Sequence, residues 1–282
     1  MQSLKDKVAV VTGASRGAGR GIACVLGECG ATVYVTGRSV RGRPTTDNQP
    51  GTIDETAEAV TARGGAGIAV RCDHTVDADV EALFERVRQE QGRLDLLVNN
   101  AWGGYEVQGR VDMAPFWQQP LNYWDRMFTA GVRASLISSR YAAPLMIPNN
   151  QGLIVNLTAW IGDVYLGSIF YDLSKNAVNR MAFGMAKELK GHNLAAVALA
   201  PGFIRTERVI AAFEAAGKNC ESFTESPEYA GRAVAALAAD PNVMEKSGQT
   251  LTVGDLAREY GFTDVDGRWI PPFAAPDDYP YK

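Results

Sequence analysis

A doubly wound α/β domain, with a parallel sheet of about seven strands and helices on both faces, is the architecture this sequence predicts. Three observations carry that expectation. Short apolar runs rich in β-branched residues recur along the chain: Val8–Val11, Thr32–Val35, Ile68–Val70, Leu94–Val98, Leu153–Leu157, Ala195–Leu199 and Thr250–Val253. Continuously apolar strands are what a sheet covered on both faces requires. Between most runs, apolar residues fall at helical spacing, and strands alternating with helices imply βαβ units. The first run passes directly into a glycine-rich turn that opens a helix. No linker or internal repeat interrupts residues 1–282, so one domain is expected.

Composition narrows the function. The chain is 46% hydrophobic and 21% charged, ordinary values for a globular protein. Its net charge of −4 runs against nucleic-acid binding, which depends on Lys and Arg neutralising phosphates. Cys24, Cys29, Cys72 and Cys220 form no CxxC pair, and only His74 and His192 accompany them. No metal site is expected from such a set. Reduced thiols fit a cytoplasmic protein. No stretch has membrane-spanning length, and the opening residues lack the apolar run of a signal peptide.

The turn after the first strand reads Thr12-Gly13-Ala14-Ser15-Arg16-Gly17-Ala18-Gly19, and a helical pattern continues to about Cys29. Gly13 permits a sharp exit from the strand, Gly17 a close backbone approach to a pyrophosphate, and Gly19 tight packing of the helix. The helix N-terminus then offers free N–H groups and partial positive charge to phosphates. Placed between the first strand and first helix, this turn predicts a Rossmann-type dinucleotide site built on Gly13, Ser15, Arg16, Gly17, Ala18 and Gly19.

The second strand runs into Gly37-Arg38, where an NAD site would place a carboxylate for the ribose hydroxyls. Arg38 and Arg16 instead favour a 2′-phosphate, because guanidinium offers bidentate donors to phosphate. NADP(H) is therefore expected ahead of NAD(H), which stays open. Arg38–Gly51 reads as a surface loop. A loop insert of about 103–120 exceeds the usual βα connection. An extension of about 254–282 carries Tyr260, Phe262, Trp269 and Phe273, and its final prolines forbid a regular helix there. It is expected to pack on its own subunit or on a neighbour.

Tyr171 and Lys175 stand at i and i+4 in a helical pattern that continues through Val178, Met181 and Met185. Such residues share one helix face. An ammonium beside a phenol favours the phenolate and makes the phenol a usable acid or base near neutral pH. With the glycine turn, this pair resembles the short-chain dehydrogenase/reductase family, single-domain branch. The matching pieces are Thr12–Gly19, Cys72-Asp73, Asn99-Asn100-Ala101, Gly152–Asn156, Tyr171-xxx-Lys175 and Pro201–Thr206. Gly30–Tyr34, the Phe116-Trp117 insert and Asp255–Gly267 further resemble one mammalian subgroup.

The resemblance implies an NADP(H)-dependent oxidoreductase that interconverts a carbonyl and an alcohol. Tyr171 would exchange the proton, and Lys175 would hold the nicotinamide ribose and depress the Tyr171 pKa. Asp73 would face the adenine, Asn99 would steady the strand, and Ala101 would lie beside the ribose. Pro201, Gly202, Ile204 and Thr206 would line the nicotinamide. It also implies a homodimer or homotetramer, through the helices around Trp124–Met146 and Tyr171–Leu189.

Two positions depart from the family pattern. Counting back from Tyr171, the usual serine becomes Thr158, whose hydroxyl could still donate to a substrate oxygen; aligning by the strand gives Ala159 instead. The usual helical asparagine, which serves a water relay to the lysine, becomes Gly131. A local kink freeing a carbonyl for that water is one reason for a glycine there. The substrate is expected to be a small lipophilic carbonyl or alcohol, held by aromatics among Trp102, Trp117, Trp160, Tyr165, Phe170 and Phe203. An NADP(H)-binding regulator with little turnover, and a cofactor-dependent lyase or isomerase on the same fold, are the competing readings.

Overall fold

Seven parallel strands form one sheet in the order β3-β2-β1-β4-β5-β6-β7. The computed structural model describes residues 3–104, 106, 114–159, 164–275 and 277. The strands are β1 (Val8–Val11), β2 (Thr32–Gly37), β3 (Ala66–Arg71), β4 (Leu96–Asn99), β5 (Gly152–Leu157), β6 (Leu194–Ala200) and β7 (Thr250–Thr252). Every expected strand is present, with ends displaced by a residue or two where the apolar pattern has no sharp edge. The helices are α1 (Gly17–Glu28), α2 (Ile53–Ala62), α3 (Asp77–Gln91), α4 (Asn122–Trp124), α5 (Ala134–Met146), α6 (Ile169–Leu189), α7 (Glu207–Ala215), α8 (Pro227–Ala239) and α9 (Val253–Tyr260). A π-helical segment, Asp125–Arg133, joins α4 to α5.

Successive strand residues point to opposite faces, so each strand feeds two cores. Ala9 and Val11 join Val33, Val35, Val155 and Val197 beneath α1, α2, α8 and α9. Val8 and Val10 join Leu97 and Ile154 beneath α3, α5 and α6. The burial of β1, β4 and β6 along their whole length explains their apolar sequence, which is broken by Asn99 at the end of β4. α1 and α8 cross closely: a Cβ on Gly21 would lie 2.3 Å from the Pro227 carbonyl carbon.

The extension begins inside α9, which completes the wound pattern, and the segment beyond that helix is tied to its own chain. The Asp264 carboxylate accepts from the Ser226 N–H at 2.8 Å. The Trp269 indole N–H donates to the Gly254 carbonyl at 3.0 Å, and the Ile270 N–H donates to the Tyr229 hydroxyl at 3.2 Å. Among the described residues no helix is long and apolar enough to cross a membrane, and no His, Cys, Asp and Glu group could hold a metal ion. The four cysteines are buried and free.

His74 is a core histidine. Its Nε2 lies 2.8 Å from the Thr36 hydroxyl oxygen and its Nδ1 3.2 Å from that of Ser138. Because the Thr36 hydroxyl donates to the Val11 carbonyl, it accepts from an Nε2–H, and the ring fits as the neutral tautomer. Burial pushes its pKa down from 6.5 to about 4. The unfolded chain therefore binds the proton first, and stability falls as pH drops from about 6.5 to about 4. Urea unfolding across that window is expected to show the wild type losing about 3 kcal/mol more than His74→Gln. Parallel losses in the two proteins would show that His74 does not titrate this way.

Candidate active site

The strand order reverses between β1 and β4, and doubly wound sheets bind ligands at that switch point, beyond the carboxyl ends of the strands. A cleft of about 640 Å³ opens there. It gathers Gly13, Ser15, Arg16, Gly17 and Ala18 from the turn after β1, and Arg38 and Asp73 from the ends of β2 and β3. Asn99 and Ala101 come from the end of β4, and Thr158 follows β5. Tyr171 and Lys175 come from α6, and Pro201, Gly202, Ile204 and Thr206 follow β6.

Gly19 lies behind this cleft. A Cβ there would meet the Asn100 amide nitrogen at 2.4 Å and the Gly13 carbonyl at 2.5 Å. Asn100 is the reason: its side chain donates to the Thr12 and Gly13 carbonyls at 2.8 and 2.9 Å, tying the end of β4 to the glycine turn. Gly13 has φ +64, and its missing Cβ leaves room for the Ala101 Cα at 2.8 Å. Beside them the buried Asn99 donates to Ser139 and to Asn156, both at 2.9 Å, joining β4 to α5 and β5.

The two arginines have different tasks. The Arg16 guanidinium donates to the Pro50, Thr46 and Gly51 carbonyls and to the Ser39 hydroxyl, and so builds the loop after β2. Arg38 reaches across the cleft and pairs with Glu106. The Asp73 carboxylate accepts from the N–H and hydroxyl of Thr75. Burial pushes that carboxyl up, but the Thr75 bonds and Arg38 leave its pKa below the ordinary value.

The residues fit a dinucleotide. The Gly17 N–H already receives an anion, the Glu207 carboxylate, at 3.0 and 3.3 Å. The opening of α1 thus holds an anionic group against its first N–H. Sequence patterning gives no sign of Glu207, since it approaches from the far side of the cleft as the first residue of α7. Thr206 caps that helix, its hydroxyl oxygen accepting from the Val209 N–H at 3.4 Å.

Glu225 also escapes the sequence pattern. It is buried behind the loop after β6 and accepts from the Gly202 N–H at 3.0 Å. Burial pushes its carboxyl up to about 8.

Tyr171 and Lys175 lie one turn apart on α6, with the Lys175 Nζ 5.6 Å from the Tyr171 ring centroid. Lys175 is half-buried on the wall of the cleft, and burial pushes its pKa down to about 8. The Thr158 hydroxyl donates to the Lys175 carbonyl at 3.1 Å. The same hydroxyl lies 3.5 Å from the Ala159 carbonyl, and Ala159 itself has no hydroxyl. Gly131 lies in the π-helical segment, and its carbonyl oxygen accepts from the Ser135 hydroxyl at 2.7 Å. The space left by its absent side chain holds the Trp102 ring.

The expected substrate-side aromatics separate. Trp102 and Phe203 line the cleft, and Phe213, which no sequence motif singles out, joins them. Phe170 packs with Tyr123 and Met127 in a small core against which Trp102 and Tyr171 lie. Trp117 is 70% exposed, and Tyr165 is half-buried and not among the cleft-lining residues. Trp160 and residues 105 and 107–113 of the 103–120 insert lie outside the described residues.

Comparisons with known proteins agree with this geometry. Residues 7–216 match the family model for short chain dehydrogenases. The mouse protein named dehydrogenase/reductase SDR family member 1 is 40% identical over 277 residues, covering 94% of this chain and 85% of that protein. It represents the mammalian subgroup to which the sequence motifs point. A putative dehydrogenase from Xanthomonas campestris has a TM-score of 0.80 at 26% identity, over 99% of this chain and 100% of that one. A 7α-hydroxysteroid dehydrogenase solved with NADH and 7-oxo glycochenodeoxycholic acid has a TM-score of 0.71 at 26% identity, over 89% and 93% of the two chains.

Proposed function

This chain belongs to the short-chain dehydrogenase family, and on that premise we propose that it is an NADP(H)-dependent oxidoreductase interconverting a carbonyl and an alcohol. The observation that carries the reading is the convergence of Tyr171 and Lys175 with the glycine turn in one cleft. A bound nicotinamide would supply or accept the hydride. Tyr171 gives its phenolic proton to the carbonyl oxygen in reduction and takes it back in oxidation. Lys175, charged below about 8, favours the phenolate that remains and offers donors to a ribose hydroxyl.

The glycine turn, with Ser15, Gly17 and Ala18, receives the pyrophosphate once Glu207 withdraws. Arg38 is the cation offered to a 2′-phosphate. Asp73 and Ala101 border the adenosine side, and Pro201, Gly202, Ile204 and Thr206 the nicotinamide side. Thr158 acts through its hold on the α6 backbone.

Trp102, Phe203 and Phe213 give the substrate side an apolar wall, which suits a lipophilic carbonyl better than a sugar. Exposed Trp124, Leu136, Leu173 and Phe183 lie on the helices through which a homodimer or homotetramer would form.

Oxidation of NADPH and NADH against aromatic, aliphatic, steroidal and sugar carbonyls tests the reading. Turnover is expected with NADPH and an apolar carbonyl. Tight dinucleotide binding without turnover on any carbonyl or alcohol would overturn it in favour of a dinucleotide-binding regulator.

A further inference from the structure

We propose that Trp102 is a positioning residue for Lys175, its indole clamped between two glycines so that the ring faces the ammonium in the space left by the missing asparagine. The inference rests on the roles given above to Tyr171 and Lys175, and it is carried by the packing around the ring. The Lys175 Nζ lies 4.0 Å from a Trp102 ring centroid, well inside cation–π range. The same indole meets Tyr171 in a T-shaped pair, with centroids 5.7 Å apart and planes at 85°. One ring therefore touches both members of the Tyr171–Lys175 pair.

Two glycines make this placement possible. A Cβ on Gly131 would lie 2.7 Å from Cζ3 and 2.8 Å from Cε3 of Trp102. A Cβ on Gly104 would lie 2.5 Å from Cζ2 and 2.6 Å from Cε2. Any side chain at either position would press the ring out of place. Gly131 sits in the π-helical segment Asp125–Arg133, where glycine is unfavourable on propensity grounds. The ring accounts for it.

A desolvated ammonium needs a partner to keep its charge. The electron-rich face of an indole supplies one without adding a titratable group. The π-helical segment packed on α6 carries Asp125, Arg126 and Arg133, α6 itself carries Asp172, Arg180, Lys187 and Glu188 beside Tyr171, and the loop after β4 carries Glu106, whose carboxylate is paired with Arg38. Asn99 and Thr158, on the strand ends beside α6, carry no charge.

The test measures protonation of Lys175 in the full chain without added dinucleotide. Trace acetylation across pH is read at Lys175 by mass spectrometry, with melting temperatures confirming that each variant is folded. Trp102→Leu keeps the site apolar but removes the π face, and it is expected to lower the labelling midpoint by about one pH unit. Trp102→Phe retains a π face and is expected to stay near the wild type. Gly131→Ala crowds the ring and is expected to follow Trp102→Leu. In turnover, Trp102→Leu is expected to lose activity increasingly as pH rises above about 7, because Lys175 discharges earlier.

Equal midpoints in all four proteins would overturn the proposal and reduce Trp102 to a filler of space. Labelling needs no turnover, so the two readings fail separately. Shifted midpoints in a protein without carbonyl reduction would sink the oxidoreductase reading alone. Normal turnover with unshifted midpoints would sink the role of Trp102 alone.

Discussion

Tyr171→Phe is expected to lower turnover with NADPH by about a thousand-fold, within the range that a positioned general acid or base supplies. NADPH binding should change by less than about threefold, because the variant removes one hydroxyl and no phosphate contact. The substitution isolates the chemistry. Phenylalanine keeps the ring and its T-shaped contact with Trp102, so the wall of the cleft is preserved. What disappears is the proton that neutralises the developing alkoxide, and an unpositioned solvent proton replaces it poorly.

Single-turnover oxidation of bound NADPH, with calorimetric binding alongside, separates the two effects. A variant that keeps more than a tenth of the wild-type rate would remove Tyr171 from the acid–base role and direct attention to another hydroxyl. The pH dependence has a definite sign. Lys175 is charged below about 8, so its support of the phenolate weakens as pH rises through that value.

Those parts of the site that depend on local pattern are legible in the sequence. The glycine turn is legible because strand, turn and helix are adjacent in the chain and each glycine has a local reason. Tyr171 and Lys175 are legible because one helix face fixes their relation whatever surrounds it. The seven-stranded sheet follows from apolar runs that both cores demand.

Other features arise where distant segments meet, and no local pattern announces them. Glu207 enters the glycine turn from α7, and Glu225 backs Gly202 from the residues before α8. At Gly131 the sequence records only a missing asparagine, and the tertiary structure supplies the Trp102 ring that fills the space. Phe170 stands beside Tyr171 in the chain and so reads as a pocket aromatic, but its ring is buried with Tyr123 and Met127, and Tyr171 lies between that small core and the cleft. Both arginines of the turn and the second strand read as phosphate ligands, yet Arg16 is occupied by carbonyls of a loop whose course the sequence does not fix.

Cofactor choice should turn on Arg38. Arg38→Ala is expected to weaken NADPH binding by about 10- to 100-fold, the range expected when charge-assisted hydrogen bonds to a phosphate are lost. NADH binding should move by less than about threefold, since NADH has no 2′-phosphate for the guanidinium to meet. Glu106 now accepts from Arg38 and competes with any phosphate for the same donors. Glu106→Gln is therefore expected to tighten NADPH binding by a few-fold and to leave NADH nearly unchanged.

Arg16→Ala provides the contrast. Its guanidinium organises the loop from Ser39 to Gly51, so its loss should weaken both dinucleotides together. Fluorescence titration of the three variants with each cofactor gives the comparison directly. Equal losses for NADPH and NADH in Arg38→Ala would mean that Arg38 shapes the cleft without reading the 2′-phosphate, and selectivity would then have to come from elsewhere in the loop after β2. A selective loss of NADPH in Arg38→Ala beside a shared loss in Arg16→Ala would divide the two arginines into one that reads the phosphate and one that builds the wall behind it.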